Sequence, residues 1–165
     1  MVAEELLKRY AAGERDFRGI DLKFEGTRKG LMSADLRGIN LRGADLYHVS
    51  LVNVNLSRAN LFGAYLSHAI LNAADLSNAN LCSTNLHNGH LRFTNLSGCN
   101  LDSANLSGAL LQNANLFGAD LSHAILVEAN MAGVENIDIF RTDGILLWNT
   151  RLPDGSVVVG PRYTR

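Results

Sequence analysis

The chain has 165 residues, which is the length of a single domain. Its 15 Lys and Arg nearly balance its 16 Asp and Glu, and a net charge of −1 removes the electrostatic case for binding nucleic acid. Two cysteines cannot form a disulfide framework, and the lack of a long apolar run or a signal peptide predicts a cytoplasmic protein that does not span a membrane.

The first predicted element is a short amphipathic helix over residues 2–12. Leu6, Leu7 and Tyr10 fall on one stripe of it, acidic residues occupy the first turn, and a glycine follows its end. We expect this helix to lie over the first coil of the repeat that follows, as a cap formed by residues 1–16.

Phe17 and Leu22 begin a five-residue pattern, because they are five residues apart and each follows an aspartate. Leu22 and Leu31, however, are nine residues apart, which is one fewer than two repeats. We therefore predict a register break over residues 23–30, a charged, glycine-rich segment that is typical of a loop. This loop is an alternative recognition element, since loops often carry function.

From Leu31 onward every fifth residue is leucine until Met131, which gives 21 consecutive centres. The residue two before a centre is Ala at 13 of 20 positions, and the residue one before is Asp or Asn at 14 of 20. Neither a helix nor a strand keeps a five-residue period on one face. We therefore predict that Leu and Ala point inward, that the polar residues form outward turns, and that coils stack about 4.8 Å apart around a leucine core.

The pattern ends after Gly133, and we expect residues 134–165 to form a C-terminal cap and tail. A turn, a short strand over Val157–Val159 and a loose basic end follow a lid of bulky apolar side chains. A dimer contact is the alternative role for the lid, which consists of Ile137, Ile139, Phe140, Ile145, Leu146, Leu147 and Trp148.

The run from Ala34-Asp35-Leu36 to Ala129-Asn130-Met131 resembles the pentapeptide-repeat family, whose unit is A(D/N)LXX. The resemblance implies an all-β solenoid over residues 17–133: a right-handed quadrilateral parallel β-helix with four pentapeptides per coil and an N-terminal capping α-helix. Every twentieth centre then stacks, so that the leucines form four rows. The start of the chain is similar to that of cyanobacterial members.

Six outward positions just before a centre lack Asp or Asn, and the stacking of every fourth repeat places four of them in one row that begins at Ser50. An exposed apolar patch on a polar body is typical of an interaction site. We predict that this face binds an unidentified protein partner or a second copy of the chain. Its residues are Val52, Ile70, His90, Phe93 and Leu110.

Candidate catalytic and metal-binding residues are few. His48 and His68 are four repeats apart, which places their imidazoles one above the other at about 5 Å, with His87 nearby. No carboxylate or thiolate completes a ligand set, so we predict surface imidazoles, no metal site and no cofactor. Cys82 faces outward, Cys99 takes an inward position, and the two do not pair. We predict that the protein is not an enzyme, because a regular solenoid has no cavity for a substrate.

These features favour a rigid interaction scaffold, monomeric or homodimeric. The alternative that the resemblance implies is a DNA mimic that binds DNA gyrase and protects it from quinolones, which needs an acidic surface. Residues 31–133 carry six acidic and four basic residues, so the coil region is nearly neutral and favours the scaffold. A third class, an ice-binding β-helix, needs outward threonines, whereas Thr84 and Thr94 occupy inward positions.

Overall fold

The computed structural model describes residues 1–22, 30–135 and 143–164. A helix precedes a stack of coils, and short strands follow it. These elements are α1 (Ala3–Ala11), β1 (Leu146–Leu147), β2 (Thr150–Arg151), β3 (Val157–Val158) and β4 (Arg162–Tyr163). Of the helices in the described residues, none has the length and apolar character needed to cross a bilayer.

The coils are joined by parallel backbone pairs between residues four repeats apart. Asn55, for example, pairs with Asp35 in the coil before it and with Asp75 in the coil after it. The N–H of Leu56 donates to the carbonyl of Asp75 at 2.7 Å, and the N–H of Asp75 donates to the carbonyl of Val54 at 2.9 Å. The paired residues of the regular coils are 20 residues apart, which is the length of four pentapeptides. Four pentapeptides therefore make one coil, as the resemblance implies.

The four faces are numbered here by the leucine at their centre: face 1 contains Leu51, face 2 Leu56, face 3 Leu61 and face 4 Leu66. All of the centres from Leu31 to Met131 are buried. The prediction that leucine fills the interior is therefore confirmed. Burial of a leucine side chain is worth about 1.5–3 kcal/mol, so these four rows supply most of the gross stabilisation.

The inward positions two before each centre tolerate small polar residues for a specific reason. The hydroxyl of Thr84 donates to the carbonyl of Leu61 at 2.9 Å, and that of Thr94 donates to the carbonyl of Leu71 at 2.8 Å. Both threonines are buried, as expected. A buried hydroxyl is tolerated because it finds a backbone acceptor in the preceding coil.

Helix α1 packs against the first coil. Leu6 is fully buried, and the hydroxyl of Tyr10 donates to the carbonyl of Arg37 at 2.8 Å. The guanidinium of Arg9 lies 5.3 Å from the ring centroid of Phe17, a cation–π distance. The stripe predicted from the sequence therefore faces the leucine core.

The register break differs from the sequence interpretation. Asp16 pairs with Asn40 and Asp21 pairs with Asp45, so the first coil is longer than the regular coils by four residues. This longer coil places Leu22 on face 4, and the next centre, Leu31, lies on face 1. The segment between them is thus one repeat with four additional residues, not two repeats with one missing. Residues 23–29 of the predicted loop lie outside the described part of the chain.

The A(D/N)LXX pattern ends at Gly133, but the stacking does not. Ile125 pairs with Leu146 and Asn130 pairs with Arg151, each in parallel and each with one residue more than a regular coil. Ile145 and Leu147 are fully buried and extend the core by part of a coil. Trp148 is 47% exposed and does not cover the core as a lid residue would. The lid residues Ile137, Ile139 and Phe140 lie outside the described residues.

The end of the chain is ordered by strand pairing. Strand β4 pairs with β1 in antiparallel fashion, with Tyr163 opposite Leu146, and β3 pairs with β2, with Val158 opposite Thr150. The strand predicted at 157–159 is present at Val157–Val158. The prediction of a loose basic end was wrong for Arg162–Tyr163, because the backbone of β1 offers this segment hydrogen-bonding partners.

The corner residue two after each centre has a positive φ, which glycine adopts without strain. At Gly63 the φ is +63° and nothing lies within 4 Å of an added Cβ, whereas at Gly98 an added Cβ would lie 2.6 Å from Oδ1 of Asn78. We expect Gly63→Ala and Gly98→Ala each to lower the free energy of unfolding by about 1–2 kcal/mol through backbone strain, because the amide of Asn78 can turn away from the methyl added at position 98. Denaturant unfolding measures both, and an unchanged stability in either variant would contradict the strained corner.

Candidate interaction surface

Three of the five predicted surface residues lie in one ladder on face 1. Parallel backbone pairs join Ser50 to Ile70, Ile70 to His90 and His90 to Leu110. Ile70 and Leu110 are half-buried and His90 is exposed. The prediction of a shared row is confirmed, but the row is less exposed than expected, and an imidazole separates its two aliphatic side chains.

Val52 and Phe93 lie on the same face but in other rows. Val52 is half-buried, and Phe93 is 63% exposed at a corner with a φ of 59°. Between them the row of Val52 is polar, and Nε of Arg92 donates to Oε1 of Gln112 at 3.2 Å. Face 1 is therefore a mixed surface in which apolar and polar side chains alternate, rather than a continuous apolar strip.

The ladder also lacks a hydrogen bond that most other rows have. On face 2, Oδ1 of Asn55 accepts from the N–H of Ser57 at 3.0 Å, a side-chain turn that recurs at many positions where Asp or Asn precedes a centre. Ile70, His90 and Leu110 carry no such oxygen. In the coil of His90, the N–H of Arg92 donates instead to Oδ1 of Asn72 at 3.0 Å. A hydrogen bond of this kind contributes about 0.5–1.5 kcal/mol, so the coils of Ile70 and Leu110 give up local stability on face 1.

A cluster of aromatic rings occupies the corner between faces 4 and 1. The imidazoles of His48 and His68 are stacked, with ring centroids 4.8 Å apart and planes 12° apart, as the spacing predicts. The ring of His87 meets His68 edge-on at 5.9 Å, and the ring of Tyr47 meets His48 edge-on at 4.3 Å. Burial lowers the pKa of His68, and the nearby imidazoles of His48, His87 and His90 lower it further.

No metal site arises from this cluster or elsewhere in residues 1–22, 30–135 and 143–164. Within these residues, no group of three or more His, Cys, Asp or Glu side chains could hold a metal ion. The stacked arrangement explains this for the histidines, because two rings that lie face to face do not direct their nitrogen lone pairs at a common point.

Faces 2 and 3 keep the polar repeat more regularly, although the ring of Phe117 on face 2 is 66% exposed. On face 2, Nδ2 of Asn95 donates to Oδ1 of Asp75 at 3.1 Å, and Nδ2 of Asn115 donates to Oδ1 of Asn95 at 3.3 Å. Near the first coil, the guanidinium of Arg37 lies 2.7 Å from Asp35 and lowers the pKa of that carboxyl. Amide ladders and local ion pairs therefore leave little net charge on this side.

The structure brings together one pair that the sequence analysis missed. Nδ1 of His123 lies 2.9 Å from Oδ1 of Asp102 on face 3, and Cys82 and Ser103 contact the same carboxylate. The sequence spacing of these residues could have indicated the contact, because Asp102 lies 20 residues after Cys82 and 21 residues before His123. The pair lacks catalytic geometry, because the thiol and the hydroxyl touch the carboxylate and not the imidazole that would have to activate them.

The two cysteines lie where the sequence predicts. Cys82 is half-buried on the outer side of the coil, and Cys99 is buried inside it. The thiol of Cys99 lies 2.8 Å from the carbonyl of Leu76. Burial raises the pKa of Cys99 to about 12.

Comparison with known proteins identifies the repeat. The family model described as "Pentapeptide repeats" matches residues 31–61, 59–98 and 94–133, with eight copies. No curated protein sequence matches the chain significantly. The solved structure of a pentapeptide repeat protein from the Arabidopsis thaliana thylakoid lumen is similar, with 23% identity, a TM-score of 0.61, and coverage of 82% of this chain and 94% of that one. At this identity the likeness shows the fold alone, a right-handed β-helix.

Two further solved structures are similar to this chain but superpose on it less well. A pentapeptide repeat protein from Nostoc PCC 7120 is 33% identical, covers 86% of this chain and 93% of that one, and superposes with a TM-score of 0.31. QnrB1, a plasmid-mediated fluoroquinolone resistance protein, is 16% identical, covers 77% of this chain and 76% of that one, and superposes with a TM-score of 0.35. Neither superposition is close enough to support an inference about the surface.

The cysteines test the inner and outer sides of the coil. We expect a thiol reagent at pH 8 to label Cys82 in the folded protein and to leave Cys99 unlabelled, because the Cys99 thiol is buried and its pKa is raised to about 12. Mass spectrometry of native and guanidinium-unfolded samples measures this, and only the unfolded chain should carry two labels. Equal labelling of both cysteines in the native protein would contradict the inward placement of Cys99.

Proposed function

This chain belongs to the pentapeptide-repeat family, and we propose that it is a non-catalytic, right-handed quadrilateral β-helix that acts as a rigid scaffold for a protein partner. The partner-binding surface in this proposal is face 1, with Val52, Ile70, His90, Phe93 and Leu110. Residues 1–16 and 134–165 cap the coils of residues 17–133 and shield their open backbone edges.

The observation that carries the proposal is the ladder on face 1. At Ile70, His90 and Leu110 the repeat lacks the turn-stabilising oxygen that Asp or Asn supplies at 14 of 20 such positions, and Oδ1 of Asn72 replaces it for the N–H of Arg92. Local rules of this kind are most often broken at functional sites, where a surface property is worth more than local stability. Three breaks in successive coils of one row favour a surface shaped for contact.

The chemistry of face 1 suits a protein partner. Ile70, Leu110 and Val52 supply apolar area, Phe93 supplies an exposed aromatic ring, and Arg92 adds a guanidinium. Aromatic residues and Arg are enriched at the energetic centres of protein interfaces. Because the coil-to-coil hydrogen bonds hold these positions in place, binding requires little further ordering of the backbone.

The interior and the polar faces support a role without catalysis. Pentapeptide-repeat proteins are generally non-catalytic. The coil interior is occupied by fully buried leucine and alanine side chains. The imidazole–carboxylate pair of His123 and Asp102 is not joined to a nucleophile at the imidazole in the described residues. Function on such a body must come from its outer surface.

The alternative is that the chain binds DNA gyrase as a DNA mimic, and its charge argues against this. The resemblance to QnrB1 is too distant to decide the question. Residues 31–133 carry six acids and four bases, and Arg37 and Arg18 form ion pairs with Asp35 and Asp16. A DNA mimic needs a strong negative field along its length, which local neutralisation removes. Cytoplasmic location and a monomeric or homodimeric state remain predictions from the sequence.

A capture experiment with matched variants tests this proposal. The wild-type chain, an Ile70→Ser/Leu110→Ser variant and an Asp75→Ser/Asn115→Ser variant are immobilised and exposed to lysate of the source organism. The control pair occupies the same position in the repeat on face 2, with the same spacing of two coils. The control substitutions also remove the side-chain oxygens that accept hydrogen bonds from the N–H groups of Ser77 and Phe117. Their cost in local stability is therefore comparable to that of the face 1 substitutions.

We expect a partner that wild type and the face 2 variant retain and that the face 1 variant loses at least tenfold, as identified by quantitative mass spectrometry. Melting temperatures of the three proteins verify that each is folded. Equal retention by the face 1 variant would contradict the proposed surface. Capture of gyrase by all three proteins would favour the DNA-mimic alternative.

A further inference from the structure

The row of imidazoles at the corner between faces 4 and 1 stands directly beside the ladder on face 1. This histidine row consists of His48 and His68 at the corner and of His87, which lies one residue before the corner of the next coil and meets His68 edge-on. His48 precedes Ser50 by two residues, and His68 precedes Ile70 by two residues, so these two imidazoles each share a turn with a ladder position. A change in the charge of the row therefore acts at the edge of face 1.

The packing of the row suits neutral rings. His48 and His68 stack with their centroids 4.8 Å apart, and Tyr47 meets them edge-on at 4.3 and 5.7 Å. Neutral imidazoles stack favourably in this way, but two charged rings at this distance repel each other. The stack is therefore a contact that protonation weakens.

Among the described residues, the titratable groups that shift the pKa of His68 are all imidazoles. The pKa is lowered first by burial and then by His48, His87 and His90, and no carboxylate in this part of the chain shifts it. His123 on face 3 is the contrasting case, because its imidazole lies 2.9 Å from the carboxylate of Asp102. The imidazole of His68 thus lies among other imidazoles, whereas that of His123 lies beside a carboxylate.

We propose that the histidine row makes the edge of face 1 proton-responsive: at neutral pH the ring of His68 is neutral and stacked on His48, and in mild acid it takes up a proton and the stack separates. Imidazole is the side chain whose charge changes in this range. Acid then places positive charge beside Ile70, where the neutral row leaves an uncharged aromatic edge. The consequence for a partner, namely its release in acid, rests on the proposed function, whereas the titration of the row does not.

The direction of the effect on stability follows from the lowered pKa of His68. The unfolded chain takes up a proton at this side chain below about pH 6.5, while the folded protein resists it. The stability that neutral His68 contributes is thus present above about pH 6.5 and is lost as the pH falls from there through the lowered pKa. The lowered carboxyl pKa values of Asp35 and Asp120 act in a separate, more acidic range.

An NMR titration of the ring signals tests coupling within the row. His48→Asn removes one ring at a corner where asparagine tolerates the positive φ of 58°, and His123→Asn is the matched control at a corner with a φ of 57°. We expect the titration midpoint of His68 to rise in His48→Asn and to stay unchanged in His123→Asn. The ring signals of Tyr47 should shift in wild type with the same midpoint as His68. A His68 midpoint that is identical in wild type and His48→Asn would overturn the proposal.

A second measurement uses unfolding. Wild type should lose denaturant resistance between pH 7.5 and pH 5.5, and His68→Asn, also at a positive φ of 59°, should lose less over the same interval. An equal loss in His68→Asn would overturn the role of His68. Both measurements use the isolated full chain, so they can succeed when the capture experiment fails, and the two proposals fail separately.

Discussion

Parallel pairing of each coil with the next, four repeats further along the chain throughout the regular coils, is the constraint on which the rest of the molecule depends. The N–H of Leu51 donates to the carbonyl of Ile70 in the following coil, and the N–H of Ile70 donates to the carbonyl of Val49 in the preceding one. This pattern satisfies the backbone without regular strands of any length. It also requires that every coil have the same width, which is why leucine and a small residue alternate inside. The outward residues do not set the width of the coil, so they can vary and form a functional surface.

Much of the fold could be predicted because the repeat and the structure share one period. The five-residue spacing places every leucine inside, and the stacking of every fourth repeat predicts that His48 lies beside His68 and that Ser50, Ile70 and His90 form a row. The five-residue pattern could not predict that the coils continue to stack beyond its last unit. Leu146 and Arg151 join the coils one residue later than the repeat would place them, because backbone pairing tolerates an extra residue that a sequence repeat does not display.

The positions of the candidate surface residues on the coil were predictable, but their exposure was not. Position in the repeat places Ile70 and Leu110 on one row, yet it does not say that backbone and neighbouring coils half-bury them. The pair of Asp102 and His123 was missed for a related reason. Its members belong to different rows, and only side-chain rotamers bring them to 2.9 Å. Contacts within a row follow from the period, whereas contacts across a corner depend on side-chain geometry.

The molecule thus divides into a regular side and an irregular side. Faces 2 and 3 keep the Asp and Asn turns and the amide ladder, which stabilise the coil. Faces 4 and 1 replace several of these residues with aliphatic, aromatic and imidazole side chains, at a cost in local hydrogen bonds. A rigid body of this kind can present a binding surface without a loop or a cavity, and the histidine row adds a group at its edge that changes charge with pH.

Site-specific photo-crosslinking measures most directly whether face 1 contacts a partner. A benzophenone side chain is placed at Leu110 on face 1 or at Asn115 on face 2, which occupy the same position in successive repeats. The account predicts a covalent adduct with the captured partner from position 110 and none from position 115. An adduct from position 115 with none from position 110 would contradict it, and would place the interaction surface on the regular side of the coil.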